Sequence, residues 1–440
     1  MNTAKLDWAH AWTGGVAEAP SAATAFIERL RNEIPVLPFL SLPFAEELTA
    51  QIEVYEPYLR SFRHMLLLGI GGSALGPRAL QKAFAPAQDR PGCNGPWLWI
   101  ADNVQPDWLS EMLAKLPPKE TIVVVISKSG GTIETMAQYL LVLPWLQKSL
   151  PEEWRDHLFM ITDSSKGFLR DEANKYALRS LPVPDNLGGR YSVLSAVGLV
   201  PAAFLGIDWK GLLNGAMSVG RPLAQAPETL PDHPAWHLAQ WAWQMSKAGK
   251  SQVIYFCYIP SWSTFGPWFC QLWAESLGKD GRGTMPIPAT GVTDQHSLLQ
   301  MFLDGPADKT CLFVSAPADT SSLPMPQDLP PQWNYLNGHS FGDILEAETL
   351  ATRATLAQKN VPVVHVSMPD DSPYSAGKMM MLMEAATIFT GWLLGINPID
   401  QPAVETGKKL ARARLGMPGS ESDAQRLAAF TDTPSVFQPF

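Results

Sequence analysis

Short apolar runs of strand length recur along this chain, and longer helical patterns separate them. Runs of this kind indicate strands that are buried on both faces, because helices cover both sides of a parallel sheet. The runs are 65–68, 98–100, 122–126 and 159–161 in the first half, and 253–258, 312–314 and 363–366 in the second. The sequence therefore predicts an α/β protein with mainly parallel sheets, each a three-layer arrangement of sheet between helices.

The two sets of runs predict two domains of similar build. A single core rarely keeps growing through 440 residues, and the Pro-rich stretch 222–234 suits a linker. The predicted division is an N-terminal helical segment (1–48), a first domain (49–221), a second domain (222–400) and a C-terminal helix and tail (401–440). The helix opening the second domain should begin near Asp232 and Pro234. The basic C-terminal helix is expected to pack across both domains.

Charge and hydropathy exclude several classes of protein. The net charge is -9 and the basic residues are scattered, so we expect no nucleic-acid partner. Residues 1–12 lack the apolar core of a signal peptide, and the apolar region 379–394 is shorter than a membrane span and contains Glu384. That region is predicted to be a buried helix, and no membrane partner is expected. Four distant cysteines without a Cys-x-x-Cys pair predict free thiols in a reducing cytoplasm.

A glycine turn follows the first predicted strand. Gly69-Ile70-Gly71-Gly72-Ser73 comes between this strand and a likely helix start near Leu75, where free backbone N–H groups can surround an anion. Gly71 and Gly72 let the main chain approach a ligand closely, and Ser73 adds a hydroxyl donor. The pattern also fits a dinucleotide fingerprint or a tight turn without a ligand.

A second turn with more polar side chains follows strand 122–126. Ser127-Lys128-Ser129-Gly130-Gly131-Thr132 brings hydroxyls, an ammonium and two glycines together within six residues. A phosphate monoester is bound by such a set of short donors, one cation and free backbone. Two such turns at neighbouring strand ends favour one phosphate group as the ligand.

Two nucleotide-binding alternatives fit less well. A dinucleotide site requires an acidic residue at the end of the next strand, about twenty residues on, but Asp102 lies farther from Gly69 than that. In a Walker loop the lysine follows the glycines, whereas Lys128 precedes them.

Four further residues are suited to acid–base work. Arg190, in Gly-Gly-Arg-Tyr-Ser, could stabilise an oxyanion from flexible backbone at the edge of a site. Glu275 lies among Leu272, Trp273 and other apolar residues that could shield a carboxylate from water, as suits a general base. His296 and Lys408 complete the candidates.

Each candidate also has an ordinary structural interpretation. Arg190 and Lys408 could pair with surface carboxylates, Glu275 could be exposed, and His296 could be a capping residue. His233 and His237 have a spacing seen in metal sites, but Pro234 follows the first and no His-Glu-x-x-His pattern occurs, so no metal is expected.

The segments together resemble the glucose-6-phosphate isomerase family. The matching segments, in the family's order, are 69–73, 127–134, 188–206, 275–280, 294–300 and 391–408, and they span most of the chain. The most specific is Asp400-Gln401-x-x-Val404-Glu405 followed by Lys408. The resemblance implies two sugar-isomerase domains and a cytoplasmic homodimer whose active site is shared between subunits.

The resemblance also implies a reaction and roles for individual residues. It implies interconversion of glucose 6-phosphate and fructose 6-phosphate through an enediol, a step of glycolysis and gluconeogenesis, without a metal or other cofactor. Glu275 would move the proton, Arg190 would steady the enediolate, and His296 and Lys408 would help to open the sugar ring. The positions matching phosphate or pocket residues are Ser73, Ser127, Lys128, Ser129 and Thr132, with Gly71, Gly72, Gln271 and Gln401.

Two positions depart from the family pattern, and two other functions stay open at this point. Gly131 stands where the family usually has threonine, and Ala403 where it usually has glycine, so a positive φ at Ala403 would be strained. A sugar-phosphate sensor would keep the phosphate loops without needing Glu275, His296 and Lys408 together. A dinucleotide-dependent oxidoreductase should bind a nicotinamide cofactor.

Overall fold

Two five-stranded sheets with helices packed around them form the frame of the computed structural model. The structure describes residues 3–12, 23–86, 90–433, 435 and 438. The strands are β1 (Lys5–His10), β2 (His64–Leu68), β3 (Trp97–Ala101), β4 (Thr121–Ser127), β5 (Leu158–Thr162), β6 (Arg179–Pro182), β7 (Gln252–Cys257), β8 (Met285–Thr290), β9 (Lys309–Ser315) and β10 (Val363–Ser367).

The helices follow the strands in the alternation expected of an α/β protein. They are α1 (Ala23–Glu33), α2 (Glu46–Leu59), α3 (Gly72–Phe84), α4 (Pro106–Lys115), α5 (Ile133–Ser149), α6 (Phe168–Tyr176), α7 (Ala196–Leu205), α8 (Trp209–Gln225), α9 (Pro234–Lys247), α10 (Phe265–Leu277), α11 (Leu299–Asp304), α12 (Phe341–Gln358), α13 (Pro373–Leu394), α14 (Glu405–Arg414) and α15 (Glu421–Thr431).

The sheet order confirms the predicted architecture. The first sheet has the order β3-β2-β4-β5-β6, and every pair in it is parallel. The second has the order β1-β10-β9-β7-β8 and is parallel except for β1, which runs antiparallel to β10. Each of the seven apolar runs falls on a strand to within one residue, and β4 and β9 are buried along their whole length.

The N-terminal segment differs from the prediction. The range 1–48 was expected to be helical, but Lys5–His10 forms an edge strand of the second sheet. Its side chains are exposed or only partly buried, so it lacks the wholly apolar run of an interior strand. The start of the chain therefore belongs to the second half of the molecule, and the first sheet is formed by residues that come later in the sequence. The predicted domain boundaries themselves remain a prediction.

The predicted linker is ordered secondary structure. Pro222 lies inside α8, a 3₁₀ turn covers Pro227–Asp232, and α9 then begins at Pro234 as expected. The residue that caps α9 is His233 and not Asp232, since its side chain accepts a hydrogen bond from the N–H of Ala235. The stretch is ordered because α8 continues along α13, which belongs to the second half.

The apolar region around Glu384 forms the buried helix that the sequence predicts. Nearly all of α13 is buried, where it packs between α8, α9 and α10. Glu384 is 0% exposed, and neither carboxyl oxygen has a hydrogen-bond partner among the described residues. Burial raises the pKa of this carboxyl well above its usual range, which favours the neutral form. Among the described residues, no helix is long and apolar enough to cross a bilayer.

The C-terminal region differs from the expected single helix packed across both halves. Two helices, α14 and α15, pack against each other, and α15 was not predicted. Ala413 is the one buried residue in α14, and α15 has none among its described residues. The polar sequence leaves little apolar surface to bury, so this pair of helices lies on the outside of the molecule.

One hydrophobic core serves both sheets. Met65 and Ile122 of the first sheet belong to the same cluster of buried side chains as Tyr255, Leu312 and Val364 of the second. Smaller clusters lie on the outer face of each sheet. The two halves are therefore joined through packed apolar side chains as well as through the chain.

Candidate active site

The two polar turns lie side by side at the carboxyl edge of the first sheet. They follow β2 and β4, which are neighbouring parallel strands. After β2 the chain continues to β3 on one side of this pair, and after β4 it continues to β5 on the other side. The strand order therefore reverses between β2 and β4. In open α/β sheets such a reversal opens a crevice where ligands bind.

The first turn is packed tightly against two other parts of the chain. Gly71 has a φ of 59° and begins α3 without a side-chain cap, and Ser73 lies in the first turn of that helix. A Cβ on Gly71 would lie 2.9 Å from Nε2 of Gln271, and one on Gly72 would lie 2.1 Å from the Gly189 carbonyl oxygen. These glycines therefore let the turn approach both α10 and the backbone beside Arg190.

We predict that Gly72→Ala lowers the free energy of unfolding by about 2 kcal/mol or more, because the new methyl would overlap the Gly189 carbonyl. Alanine should otherwise favour the first turn of a helix. Gly189→Ala is the matched control, since nothing lies within 4 Å of its Cβ position, and its unfolding should change by less than about 0.5 kcal/mol. Urea denaturation of both variants tests this, and equal stabilities would contradict the close approach.

The second turn presents backbone and hydroxyl donors around the start of α5. The Ser127 hydroxyl donates to Thr132 Oγ1 at 3.3 Å, and the Gly131 N–H donates to Ser129 Oγ at 3.2 Å. Thr132 occupies the N-cap position of α5, but its side chain caps none of the first-turn N–H groups. These groups point out of a 17-residue helix, a favourable arrangement for an anion.

Lys128 makes contacts that the sequence did not indicate. Its ammonium donates to the carbonyl oxygens of Asp185 and, at 2.9 Å, of Leu187. Partial burial lowers the pKa of Lys128, although Asp185 and Asp163 oppose that shift. The lysine thus stabilises the position of the chain that leads into the turn containing Arg190.

Arg190 is buried, with a side chain only 1% exposed, and not carried on a flexible edge as predicted. It lies in a 3₁₀ turn, Gly189–Tyr191, and its guanidinium reaches acceptors from α10 and from the segment after α13. The acceptors are Ser276 Oγ at 2.7 Å, Gln401 Oε1 at 2.8 Å, the Pro398 carbonyl at 2.7 Å, the Asp400 carbonyl at 3.1 Å and Glu275 Oε2 at 3.3 Å. These contacts fix the position and orientation of its charge.

Glu275 is more open than predicted. Its side chain is 33% exposed, and its oxygens accept from Arg190 Nη1 at 3.3 Å and from Gln271 Nε2 at 3.1 Å. Leu272 and Trp273 are buried, whereas Glu275 lies on the same side of α10 as the partly exposed Gln271, four positions earlier. The carboxylate is therefore held by hydrogen bonds at an open face, where a ligand can reach it.

A cavity of about 610 Å³ adjoins this cluster. Its lining includes Lys128, Gly188 and Gly189 together with Gln401 and Glu405. The cavity thus extends from the hydroxyl-rich turn to the segment that binds Arg190. Its volume falls in the range of small-molecule sites.

Neither His296 nor Lys408 shares a side-chain hydrogen bond with Glu275 among the described residues. His296 ends a 3₁₀ turn after β8 and is exposed, without a side-chain hydrogen bond or ion pair in the described part of the chain. Lys408, on α14, pairs with Glu405 at 2.7 Å, and Glu405 lines the cavity. Lys408 is thus linked to the cavity wall, whereas His296 projects from the carboxyl edge of the second sheet.

Ser276 and Arg412 take part in the site, although the sequence did not single them out. Ser276 is wholly buried and binds both Arg190 and the Tyr191 hydroxyl. Arg412 Nη2 donates to the Gly131 carbonyl at 3.1 Å across 281 positions of sequence. Neither contact could be predicted from residue type. A serine in an apolar helix is common, and so is an arginine in a polar helix.

The two departures from the family pattern cause no visible strain. A Cβ on Gly131 would meet only the Ser129 oxygens, at 3.9 Å, so a larger residue would fit as well as glycine does. Ala403 lies in a 3₁₀ turn, Pro402–Val404, and is absent from the residues with positive φ. The condition for strain at Ala403 is therefore not met.

Other polar residues that suggested alternative sites have structural partners. His233 caps α9 and its Nε2 contacts the Val219 carbonyl, while His237 contacts the Pro231 carbonyl. Burial lowers the pKa of His233 to about 4. Asp102 accepts a hydrogen bond from Arg78 at 2.7 Å, so its carboxylate is already paired with a cation.

Comparison with known proteins identifies a family for most of the chain. Residues 53–307 match the family model described as phosphoglucose isomerase. A glucose-6-phosphate isomerase of Rubrobacter xylanophilus is 39% identical over 394 residues, covering 87% of this chain and 89% of that protein. One from Carboxydothermus hydrogenoformans is 34% identical over 424 residues, covering 92% of this chain and 90% of that protein.

A solved structure shares the whole architecture. The crystal structure of a hypothetical protein from Thermus thermophilus superposes with a TM-score of 0.82 and is 32% identical. The match covers 94% of this chain and 100% of that one. The arrangement of both sheets and their helices is therefore shared with that protein.

Proposed function

The chain belongs to the phosphoglucose isomerase family, and from that premise we propose how its residues interconvert glucose 6-phosphate and fructose 6-phosphate. The observation that carries the proposal is the contact of Glu275 with both Arg190 and Gln271, because Arg190 also binds Gln401 in the lining of the cavity. A carboxylate next to a fixed guanidinium can take a proton from carbon while the cation stabilises the resulting oxyanion.

Glu275 removes the proton from C2 of the open-chain aldose and returns it to C1, while the proton of the C2 hydroxyl passes to O1, so that C1 gains a hydroxyl and C2 becomes the carbonyl. The ketose reacts in the reverse order. One base serves both directions, because C1 and C2 are adjacent in the planar enediol and a carboxylate over one face of that plane reaches both. Arg190 stabilises the negative charge on the enediolate oxygens, and its five acceptors keep it from moving away as the charge develops. The isomerisation causes no net oxidation or reduction of the substrate, so the proposal includes no redox cofactor, and the guanidinium of Arg190 supplies the charge stabilisation that a metal would otherwise provide.

The remaining predicted residues bind the substrate and open its ring. Gln271 and Gln401 already contact Glu275 and Arg190, and they orient the sugar chain between them. Phosphate binding by the two turns holds the reacting carbons near the base. The free energy of phosphate binding thereby increases the rate of proton transfer. The phosphate residues are Ser73, Ser127, Lys128, Ser129 and Thr132. His296 and Lys408 assist ring opening by moving protons between the ring oxygen and the C1 hydroxyl.

A coupled assay tests the reaction directly. Purified chain is supplied with fructose 6-phosphate, and glucose 6-phosphate is detected through a dehydrogenase, with and without a chelator. The proposal expects product in both reactions. Absence of product would contradict the activity, and loss of product with chelator alone would require a metal-dependent mechanism.

We also propose a homodimer in which each active site is completed by the other subunit. The support is the position of His296, which is exposed at the carboxyl edge of the second sheet and has no polar side-chain contact with Glu275 within the described residues. An exposed imidazole on one subunit can complete a cavity on another.

Free cysteines, two of them buried, are consistent with a cytoplasmic location.

We predict that Glu275→Gln and His296→Ala complement each other when co-expressed. Each homodimer should be nearly inactive, but a mixed dimer contains one site with both defects and one intact site. Random assembly should restore about a quarter of wild-type activity. The purified proteins, mixed without exchange of subunits, form the control. If both homodimers are inactive and co-expression restores nothing, His296 acts within its own chain, whereas an active His296→Ala homodimer would mean that His296 is not required.

A further inference from the structure

The one cation of the hydroxyl-rich turn 127–132, Lys128, uses most of its donors within the protein. The three N–H groups of an ammonium can each donate once, and Lys128 gives two of them to the carbonyls of Asp185 and Leu187. A phosphate monoester carries close to two negative charges at neutral pH, and such groups are bound best by charge-assisted hydrogen bonds. A second cation beside the turn would complete an anion site.

Arg412 reaches this turn from α14. Its Nη2 donates to the Gly131 carbonyl at 3.1 Å, the one hydrogen bond that the described part of the chain gives its guanidinium. A guanidinium has five N–H donors in a planar fork, so the others are free to bind ligand oxygens. Gly131 directly precedes the N-cap of α5, whose first-turn N–H groups carry no side-chain cap.

The face of α14 that carries Arg412 is the face next to the cavity. Glu405, Lys408 and Arg412 are three and four positions apart, so they lie on one side of the helix. Glu405 lines the cavity and pairs with Lys408 at 2.7 Å, and among the described residues it makes no hydrogen bond to Arg412. Glu134 in the first turn of α5 is the acidic side chain nearest in sequence to the turn.

We infer that Arg412 binds the phosphate of the substrate, supplying the guanidinium that the hydroxyl-rich turn requires. Lys128 also holds the chain that leads to Arg190, so its ammonium has one N–H left for the phosphate. The identity of the phosphate as that of a sugar phosphate rests on the proposed function. A guanidinium can hold two phosphate oxygens at once, so Arg412 contributes both charge and orientation.

A purely structural role makes different predictions. If Arg412 only fastened α14 to the turn, its loss would misplace Lys408 and lower kcat, and the affinity for phosphate would hardly change. If Arg412 binds phosphate, its loss should raise KM and the dissociation constant of inorganic phosphate together. The two roles therefore separate in one pair of measurements.

The test compares Arg412→Gln, Arg412→Lys and Arg414→Gln. Arg414 is exposed on the same helix and serves as the matched control. Inorganic phosphate is titrated calorimetrically and as a competitive inhibitor, and KM and kcat are measured with fructose 6-phosphate. Circular dichroism and melting temperature establish that each variant is folded.

We expect Arg412→Gln to weaken phosphate binding and raise KM by about tenfold each, as for the loss of one charged hydrogen-bonding group. Arg412→Lys should recover part of that loss, and Arg414→Gln should stay within about twofold of wild type. An unchanged phosphate affinity in Arg412→Gln would overturn the inference. A wild-type chain that binds phosphate but isomerises nothing would instead overturn the proposed function, because the titration does not depend on turnover.

Discussion

Glu275→Gln should lower kcat by about two to four orders of magnitude while substrate binding survives. The amide keeps the shape of the side chain and can still accept a hydrogen bond from Arg190, so the site should remain assembled. It cannot take a proton from carbon, and no other carboxylate contacts Arg190 among the described residues. Steady-state kinetics with fructose 6-phosphate and calorimetric binding of the same substrate measure the two effects.

Two further measurements make the assignment of Glu275 specific. Exchange of the C2 hydrogen of glucose 6-phosphate with deuterated solvent, followed by NMR, reports the proton transfer itself and should disappear in Glu275→Gln. Glu275→Asp keeps a carboxylate one methylene farther away and should retain partial activity. Near-normal turnover in Glu275→Gln would mean that another group is the base.

Arg190→Lys should lower both turnover and stability, although it conserves the charge. An ammonium has three donors and no fork, so it cannot satisfy five acceptors from two segments that lie far apart in the sequence. Buried acceptors left without a donor should lower the free energy of unfolding by about 2–4 kcal/mol. Displacement of the charge from the enediolate should lower kcat by about 100-fold or more.

The control for this substitution is Arg31→Lys, in which the arginine forms an exposed pair with Glu28. Exposed pairs contribute little, so its unfolding should change by less than about 1 kcal/mol and its kcat should be unchanged. Urea denaturation and steady-state kinetics are measured on both variants. If Arg190→Lys behaves like Arg31→Lys, the guanidinium is neither the anchor of the site nor its charge stabiliser.

The interior strands could be predicted from the sequence, and most edge strands could not. A strand flanked on both sides and covered on both faces, such as β4 or β9, is apolar throughout and therefore easy to recognise. The edge strands β1, β6 and β8 are partly exposed, and β8 contains two prolines in Met285–Thr290. Proline is tolerated at an edge because one side of the strand has no partner, but it masks the strand pattern.

The residue types of the site could be predicted, but their mutual arrangement could not. The glycine and hydroxyl turns follow strands, so their place at the carboxyl edge of the sheet follows from local pattern. The contacts of Arg190 with Ser276 and Gln401 join positions 86 and 211 residues away, and no periodicity encodes them. Lys128 has the residue type of a phosphate ligand, yet its carbonyl partners depend on a loop that only the folded structure brings near.

The core shared by both sheets limits how the cleft can respond to a ligand. Halves that meet through a large apolar surface do not rotate freely about a hinge, since every degree of opening would expose that surface to water. The shared core therefore opposes any change in the separation of the cleft walls. We expect closure over the sugar to come from peripheral parts such as the α14–α15 pair, which carries Lys408 and Arg412 and has Ala413 as its one buried residue among those described.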